Sequence, residues 1–339
     1  MRVVELVEAF GLKNLRMGER PDPTPGPRQA VIAVRAASLN FRDLMMVEGA
    51  YNPRQRLPLI PLSDGVGEVI AVGEGCHRVK VGDRVSPHFF PTWVAGEPSR
   101  AKMRPALGGP LDGALTEQWC LDEEALVHVP EHLTDEEAST LPCAAVTAWN
   151  ALTVRGSLGP ADTVLLQGTG GVSLFALQFA KALGARVILT SSSDEKLARA
   201  RELGADHTLN YRSNPEWGRE AKALAGGDGV DLVVEVGGAG TLAQSLTAVR
   251  PGGQVSLIGV LSGSGGDINL IPILMQNVRL QGITVGDRES FEAMNRAIVQ
   301  HRIRPVIERV FPFEQHVEAF EALRSGQHMG KYVLRVGSV

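Results

Sequence analysis

The sequence has few cysteines, few aromatic residues and no long apolar run. Three cysteines among 339 residues are too few for a disulfide framework or a four-cysteine zinc site, and they indicate a reducing compartment. The sequence contains no uncharged apolar run of about 18 residues, so no membrane span is predicted. The 34 basic and 38 acidic side chains leave no basic excess, which argues against a nucleic-acid partner. Because the N-terminus turns polar too early for a signal peptide, we expect a cytoplasmic protein.

Glycine is abundant, at 38 residues. The chain has two regions that differ in their predicted secondary structure. Residues 1–130 are rich in turns, with strand patterns at 29–40, 65–72 and 81–85 and a long loop at 89–113. Strands and helices alternate from residue 131 onward, which predicts a doubly wound parallel α/β sheet. The predicted strands are Thr163–Leu166, Arg186–Thr190, His207–Leu209, Val230–Glu235, Gln254–Ile258 and Val278–Thr284, with helices at Val172–Leu183, Asp194–Leu203, Pro215–Leu224 and Thr241–Val249.

A glycine-rich turn follows the first of these strands. It reads Gly168-Thr169-Gly170-Gly171-Val172-Ser173 and leads directly into an apolar helix. In dinucleotide-binding folds such a turn brings the backbone close to the pyrophosphate, and the helix N-terminus offers unpaired N–H groups to the anion. Ser173 stands where a third glycine is usual, and its small size still permits close packing. The turn therefore predicts a dinucleotide site.

The end of the next strand bears on the choice between NAD and NADP. An acidic residue there would bind the ribose 2′-hydroxyl of NAD, but the sequence has Ser191-Ser192-Ser193. Serines accept a 2′-phosphate, and Lys196 and Arg212 are close enough in sequence to reach it. We therefore predict NADPH as the cofactor, the alternative being that both cations are solvated surface charges.

The chain resembles the medium-chain dehydrogenase/reductase superfamily, in particular its zinc-lacking, quinone-oxidoreductase-like branch. The glycine turn and four further motifs carry this resemblance along nearly the whole chain: Ser38–Asp43, Pro61–Val69, Val81–Val85 and Leu141–Ala145. The resemblance implies a GroES-like β-barrel catalytic domain at residues 1–130 and an NADP-binding Rossmann domain at 131–284. A C-terminal segment, 285–339, is expected to return to the catalytic domain.

The resemblance also permits a test for zinc. Zinc alcohol dehydrogenases hold the metal with a cysteine, a histidine and a second cysteine, and these positions fall here on Asn40, Ser63 and Cys143. One thiol with an amide and a hydroxyl is a poor Zn²⁺ site, so no metal is expected. The alternative interpretation of Cys143 is a small buried residue near a helix start.

Without a metal, hydrogen-bond donors must stabilise the oxyanion that hydride transfer creates. Tyr51 occupies the place where related enoyl and quinone reductases carry an active-site tyrosine, although it could equally be a loop tyrosine packed on the barrel. Asn40 is expected to orient substrate or nicotinamide, and Ser63 to line the former metal niche. We expect Asp43 to buttress the loop through backbone groups or Arg42.

The resemblance implies further cofactor contacts, chiefly at the carboxyl ends of strands. These are Thr147, Gly168, Thr169, Gly170, Gly171, Val172, Ser191, Ser192, Lys196, Tyr211, Arg212, Val236, Gly237, Ile258, Gly259, Val260, Val285, Gly286 and Arg288. Asp287 replaces a serine of the family segment, so its own contact with a phosphate is doubtful. Lys331 is a weaker candidate, because a lysine near the C-terminus usually faces solvent.

The substrate pocket is expected to use the loop that carries Phe89, Phe90 and Trp93. Three aromatics within six residues indicate an apolar wall, and the alternative is a small satellite core beneath the loop.

Three functions remain open at this point. The first is zinc-independent, NADPH-dependent reduction of quinones or α,β-unsaturated carbonyls. The second is an NADP-dependent alcohol dehydrogenase or carbonyl reductase that works without zinc, and the third is a non-catalytic NADPH-binding protein. The resemblance further implies a homodimer joined through the strand at Val278–Thr284, with a tetramer as an alternative. A small-molecule substrate is expected, with no membrane partner.

Overall fold

The chain folds into two units in the computed structural model, which describes residues 1–337. Unit 1 combines Met1–Val146 with the segment that begins at Val285, and unit 2 spans Thr147–Thr284. The sequence-based boundary at residue 130 differs from this division. The helical segment after residue 134 packs on three strands of unit 1 and therefore stays with that unit.

The strands, in chain order, are β1 (Arg2–Leu6), β2 (Leu15–Glu19), β3 (Gln29–Ser38), β4 (Asp64–Val72), β5 (Arg84–Pro87), β6 (Gln118–Asp122), β7 (Leu126–His128), β8 (Thr163–Gln167), β9 (Arg186–Ser191), β10 (His207–Asn210), β11 (Val230–Glu235), β12 (Val249–Leu257), β13 (Arg279–Gly282), β14 (Ile307–Pro312) and β15 (Lys331–Arg335). The α-helices are α1 (Phe41–Val47), α2 (Arg100–Met103), α3 (Asp135–Ala138), α4 (Val146–Trp149), α5 (Gly171–Ala182), α6 (Asp194–Glu202), α7 (Trp217–Leu224), α8 (Leu242–Ala248), α9 (Ile271–Met275), α10 (Arg288–His301) and α11 (His316–Arg324). No helix within residues 1–337 is long and apolar enough to cross a membrane.

Unit 1 is built on a sheet with the strand order β14-β15-β3-β4-β5-β7, and β6 also pairs with β3. All of these pairs are antiparallel except β14 with β15. The long strand β3 carries core residues such as Ile32 and Val34, and β15 extends its edge through the pairing of Val333 with Ser38. The C-terminal segment therefore completes the sheet of the N-terminal unit.

Unit 2 is a six-stranded sheet with the order β10-β9-β8-β11-β12-β13. Every pair in it is parallel, and the order reverses between β8 and β11, as in doubly wound dinucleotide-binding folds. All five residues of β8 are buried, as expected for a parallel strand covered on both faces. The predicted α/β class with a Rossmann-type sheet is confirmed.

Two local differences from the predictions have physical causes. Strand β12 begins at Val249, before the predicted Gln254, because Val249 already pairs with Val230 and the register then shifts. The sequence pattern gives a helix start near Cys143 but no helix bounds at 135–154, where α3 and α4 alternate with wider π-type turns at Leu141–Ala145 and Asn150–Val154. Such turns break the 3.6-residue periodicity on which helix prediction depends.

Candidate functional site

The glycine turn of unit 2 has the geometry of an anion site. Gly168 adopts the left-handed φ of +73° that favours glycine, and its N–H donates to Thr190 O at 2.7 Å. Gly170 caps α5 without any side-chain hydrogen bond, so the first N–H groups of this helix have no capping side chain. A Cβ added at Gly168 or Gly170 would meet no atom within 4 Å. The turn therefore leaves space beside its backbone, as an anion site at a helix N-terminus requires.

Ser173 fastens this turn to the strand before it. Its hydroxyl is buried and donates to Gln167 O at 2.6 Å. The bond joins the first turn of α5 to the end of β8, which explains why a serine serves at the position of the third glycine. Thr169 is also buried, and Val172 lies with Gly171 in the first turn of α5.

A buried carboxylate organises the neighbouring strand ends. Glu235 accepts hydrogen bonds from the Gln167 side-chain amide at 2.7 Å and from the N–H groups of Gly237 and Gly238 at 2.7 and 3.0 Å. The hydroxyls of Thr241 and Ser245 also donate to it. Because each buried acceptor is satisfied, the carboxylate fixes the loop after β11 rather than standing free for chemistry. Sequence analysis did not single out Glu235, since an acid at a strand end carries no fixed signature.

The predicted strand-end residues lie in loops that touch each other. Val236 and Gly237 follow β11, whereas Ile258, Gly259 and Val260 follow β12. A Cβ on Gly259 would lie 2.5 Å from Val236 O, so only glycine permits this approach. The geometry brings these five residues together beside the glycine turn at the carboxyl edge of the sheet, where ligands bind in such folds.

The serine segment stands at the end of β9, beside the turn. Ser191 is buried, while the hydroxyl of Ser193 accepts from Lys196 N–H and caps α6. Tyr211 N–H donates to Ser191 O, which holds the loop after β10 against the segment, and Arg212 is exposed. The first acids that follow, Asp194 and Glu195, lie in the first turn of α6, so residues 191–193 present hydroxyls only.

The other predicted cofactor positions are spread over both units. Thr147 begins unit 2 within α4 and is buried. In unit 1, Val285 adopts φ 55°, which is strained for a β-branched residue; Gly286 follows it, and Asp287 caps α10 through Ser290 N–H. Arg288 is ion-paired with Glu124 and also donates to Glu124 O, which favours a structural role for its guanidinium.

In unit 1, α1 starts from a network centred on Asp43. This buried carboxylate accepts from the N–H groups of Asn40 and Ser63 at 2.8 and 3.3 Å. Arg42 pairs with it at 3.1 Å and also donates to the carbonyls of Leu107, Gly108 and Gly109. The expected buttressing role of Asp43 is confirmed, and it holds two predicted site residues in place.

A second buried carboxylate, Asp64, closes the same niche. Ser63 Oγ donates to it at 2.7 Å, the Cys143 N–H at 3.2 Å and Ser38 Oγ at 3.4 Å. Burial raises the pKa of the Asp64 carboxyl, and the ammonium of Lys331 opposes that rise. Burial likewise raises the pKa of the Cys143 thiol, which therefore stays protonated. Cys143 as a whole is half-buried, so the interpretation as a small buried residue fits only in part.

Strained backbone sets the position of Ser63. Leu62 is fully buried with φ 71°, a conformation that costs a non-glycine residue about 1–3 kcal/mol. Gly108 and Gly113 pack against this backbone, and a Cβ on Gly113 would lie 2.0 Å from Leu62 O. The glycine-rich loop thus holds the strained segment in place, and the Ser63 side chain with it.

The position of Lys331 differs from the expectation. It was expected to face solvent, but it is 4% exposed and its Nζ donates to Leu39 O at 2.5 Å and to Asn40 Oδ1. The amide nitrogen of Asn40 then lies 3.4 Å from Ser63 Oγ. The available signal was that Lys331 opens an apolar strand, β15, whose pairing with β3 carries the lysine inward.

Tyr51 stands apart from this niche. It is 51% exposed, and its ring lies over the Arg42 guanidinium, whose other ring neighbour is Phe89. Within residues 1–337, no hydrogen bond joins Tyr51 to Asn40 or Ser63. Phe89, Phe90 and Trp93 are buried and contact one another, which is the satellite-core packing weighed above; their role in a substrate pocket stays a prediction.

The niche does not fit a zinc ion. Asn40 Oδ1 accepts from an ammonium group, Ser63 donates to Asp64, and only Cys143 offers a soft ligand atom. Within the described part of the chain, no group of three or more His, Cys, Asp or Glu side chains is arranged to hold a metal.

The parallel unit with its glycine turn and the antiparallel unit with its polar niche together define a nucleotide-dependent oxidoreductase. Residues 26–131 match the alcohol dehydrogenase GroES-like domain and residues 171–300 the zinc-binding dehydrogenase family. A zinc-type alcohol dehydrogenase-like protein of Schizosaccharomyces pombe is 42% identical over 99% of each chain. The chain belongs to the medium-chain dehydrogenase/reductase superfamily and is alcohol dehydrogenase-like.

Other relatives have varied names. An acryloyl-coenzyme A reductase of Metallosphaera sedula is 30% identical over 93% of this chain and 95% of its own. The solved structure of a putative alcohol dehydrogenase from Sinorhizobium meliloti has a TM-score of 0.92 at 40% identity over 99% of both chains. An NAD-dependent alcohol dehydrogenase also reaches 0.92, at 33% identity over 99% and 100%. A mycobacterial protein complexed with NADPH reaches 0.82, at 28% identity over 99% of both.

Proposed function

We propose that this oxidoreductase uses NADPH to reduce the C=C bond of α,β-unsaturated carbonyls or to reduce quinones, without zinc. The observation that carries the proposal is the niche of unit 1, where Asn40 and Ser63 are held by hydrogen bonds at positions that bind zinc in zinc-containing relatives. Hydride addition to an enone gives an enolate, a weaker base than the alkoxide formed from a ketone. Hydrogen-bond donors alone therefore suffice to stabilise it. The kinship with an acryloyl-coenzyme A reductase supports the same chemistry.

The cofactor would be held by unit 2. The N-terminus of α5 and the turn at Gly168–Gly171 would bind the pyrophosphate, and the strand-end loops at Val236–Gly237 and Ile258–Val260 would border the nucleotide. NADPH supplies a hydride when bound. Asn40 would orient the substrate by donating to its developing oxyanion, and the phenol of Tyr51 would be a second donor.

A substrate panel tests this function against its alternatives. NADPH absorbance is followed with an enone, a quinone and a saturated ketone at equal concentrations. The proposal expects oxidation with the enone or the quinone. Oxidation with the ketone alone would instead establish a carbonyl reductase or alcohol dehydrogenase, a function that the names of several relatives favour. NADPH binding with no turnover would leave a non-catalytic protein.

The preference for NADPH has its own test. It is supported by the absence of an acid at residues 191–193 and by the nearby cations Lys196 and Arg212, although one relative is named as NAD-dependent. Ser191→Asp is expected to move the ratio of kcat/KM for NADPH over NADH toward NADH by about tenfold or more, because the carboxylate repels a 2′-phosphate. Thr247→Asp adds the same charge at a half-buried position of α8 and should leave the ratio unchanged. An unchanged ratio in the Ser191 variant would refute the assignment.

Zinc independence is tested by removing metal. After dialysis against a strong chelator, the rate with the preferred substrate should stay within about twofold of the untreated rate, and elemental analysis should find less than one zinc per ten chains. A large loss of rate that Zn²⁺ restores would show a metal enzyme.

We also propose a cytoplasmic homodimer. All three cysteines are free, as a reducing compartment requires. Strand β13 is an open edge of the unit 2 sheet, and the apolar residues Leu270, Ile271, Leu274 and Met275 just before it are 66–75% exposed. A second copy that pairs along β13 would cover them. Sedimentation at the mass of one 36.3 kDa chain would refute the dimer, and Leu274→Glu should shift a true dimer toward that mass.

A further inference from the structure

Lys331 is a fully enclosed cation that no step above uses. Its side chain leaves the start of β15 and ends at Leu39 O and Asn40 Oδ1, just before α1. The place is fixed by the fold, since Lys331 N–H donates to Val306 O and Leu39 N–H to Tyr332 O. Lysine is almost never fully buried unless it is paired, so this placement requires an explanation.

The niche contains two buried carboxylates, Asp43 and Asp64. Asp43 has Arg42 as its ion-pair partner. Within residues 1–337 the buried Asp64 has no such partner, and the principal positive charge acting on it is that of Lys331. Burial lowers the pKa of Lys331, and Asp64 is the first of the groups that oppose this. The positive charge of Lys331 therefore opposes the neutralisation of Asp64 that burial alone would favour.

The hydrogen bond from Lys331 also fixes the orientation of the Asn40 side-chain amide. An ammonium group only donates, so its bond fixes Asn40 Oδ1 as the acceptor and turns Asn40 Nδ2 toward Ser63. Nδ2 carries two protons and lies 3.4 Å from Ser63 Oγ, while Ser63 donates to Asp64. Lys331 thus decides which end of the Asn40 amide can donate to a substrate oxygen.

The structure assigns Lys331 as a positioning residue: its ammonium takes the place of a metal ion as the resident cation of the niche, and it orients Asn40 as the donor to the substrate oxyanion. The three residues at the zinc-ligand positions, Asn40, Ser63 and Cys143, are linked through Asp64 to the same cluster. This inference rests on the proposed function, because it needs an oxyanion to be stabilised.

The test compares Lys331→Met, Lys331→Arg, Asp64→Asn and the double variant Lys331→Met/Asp64→Asn, with Lys80→Met as an exposed control. Lys331→Met should lower kcat with the preferred substrate by about 100-fold, the usual loss for one oxyanion donor, with NADPH Kd within about twofold. Lys331→Arg should retain part of the rate, since a guanidinium also donates to Asn40 Oδ1. Lys80→Met should match the parent.

Thermal unfolding separates a structural role of Lys331 from its positioning role, because a purely structural lysine would change Tm and kcat together. Lys331→Met should lower Tm because Asp64 loses its balancing charge, and the double variant should recover most of that loss. Its kcat should nevertheless stay low, because Asn40 is still not oriented. A double variant that regains both Tm and kcat would overturn the inference, as would a Lys331→Met protein with the parent rate. If the parent reduces no substrate of the panel, the proposed function fails, whereas the Tm coupling between Lys331 and Asp64 is still measured.

Discussion

The two candidate sites of this chain are built in opposite ways. The nucleotide turn of unit 2 lies in one contiguous stretch, from Thr163 to Ser173, and its key groups are backbone N–H groups. The niche of unit 1 is assembled from the segments 38–43 and 61–64, from Cys143 and from Lys331, and its key groups are buried side chains. We expect mutations in the local turn to change mainly the affinity for the nucleotide. Mutations in the assembled niche should change mainly the stability of unit 1.

The largest expected effect is on nucleotide affinity at the turn. Gly170→Asp should weaken NADPH binding by about 100-fold or more, because a carboxylate at the N-terminus of α5 occupies and repels the pyrophosphate site. The residue has an ordinary extended conformation, and a Cβ there meets no atom. Since aspartate is also a good helix cap, Tm should stay equal or rise. Kd is measured by the quenching of protein fluorescence.

Gly170→Ser is the matched control for this change. Serine caps the helix without a charge, so its affinity should fall far less than that of the aspartate variant. A loss of affinity that is equal in the two variants would mean that size rather than charge matters at the turn. A fall in Tm with Gly170→Asp would contradict the expectation that mutations in the turn change affinity and not stability.

The next effect is on stability in the niche. Asp43→Ala should lower the free energy of unfolding by about 3–5 kcal/mol, because it leaves the half-buried Arg42 without its ion-pair partner and removes the buried acceptor of two backbone N–H groups. Asp22→Ala is the control, since its exposed pair with the N-terminus is expected to contribute little to stability. Urea unfolding measures both. A loss below about 1 kcal/mol in Asp43→Ala would show that the niche is not held together by this carboxylate.

The same contrast explains what could be predicted from the sequence. The strand–turn–helix context of Gly168 and the serines at 191–193 lie in short segments, so pattern alone located them, together with the parallel sheet. Lys331 depends on the pairing of β15 with β3, which joins residues almost 300 positions apart, and no local pattern records that contact. Asp43 lies between these cases, because its capping role is local while its bond to Ser63 is not.

The smallest expected effect concerns His88, which follows β5 and, like the niche, is enclosed by distant segments. Burial lowers the pKa of His88 to about 4, and its Nδ1 lies 2.9 Å from Ala125 O. The unfolded chain takes up a proton near the ordinary pKa of about 6.5, whereas the folded chain does not. The stability that His88 contributes is therefore complete above pH 6.5 and is lost as the pH falls toward 4.

Between pH 7 and pH 5 this single histidine should remove about 2 kcal/mol from the free energy of unfolding. His88→Asn keeps a donor near Ala125 O but cannot titrate, so its pH dependence over this interval should be weaker than that of the parent by that amount. His77→Asn, at an exposed position, should retain the parent's dependence. Urea unfolding at both pH values supplies the comparison, and identical pH dependence in the parent and His88→Asn would show that the imidazole of His88 is open to protonation in the folded chain.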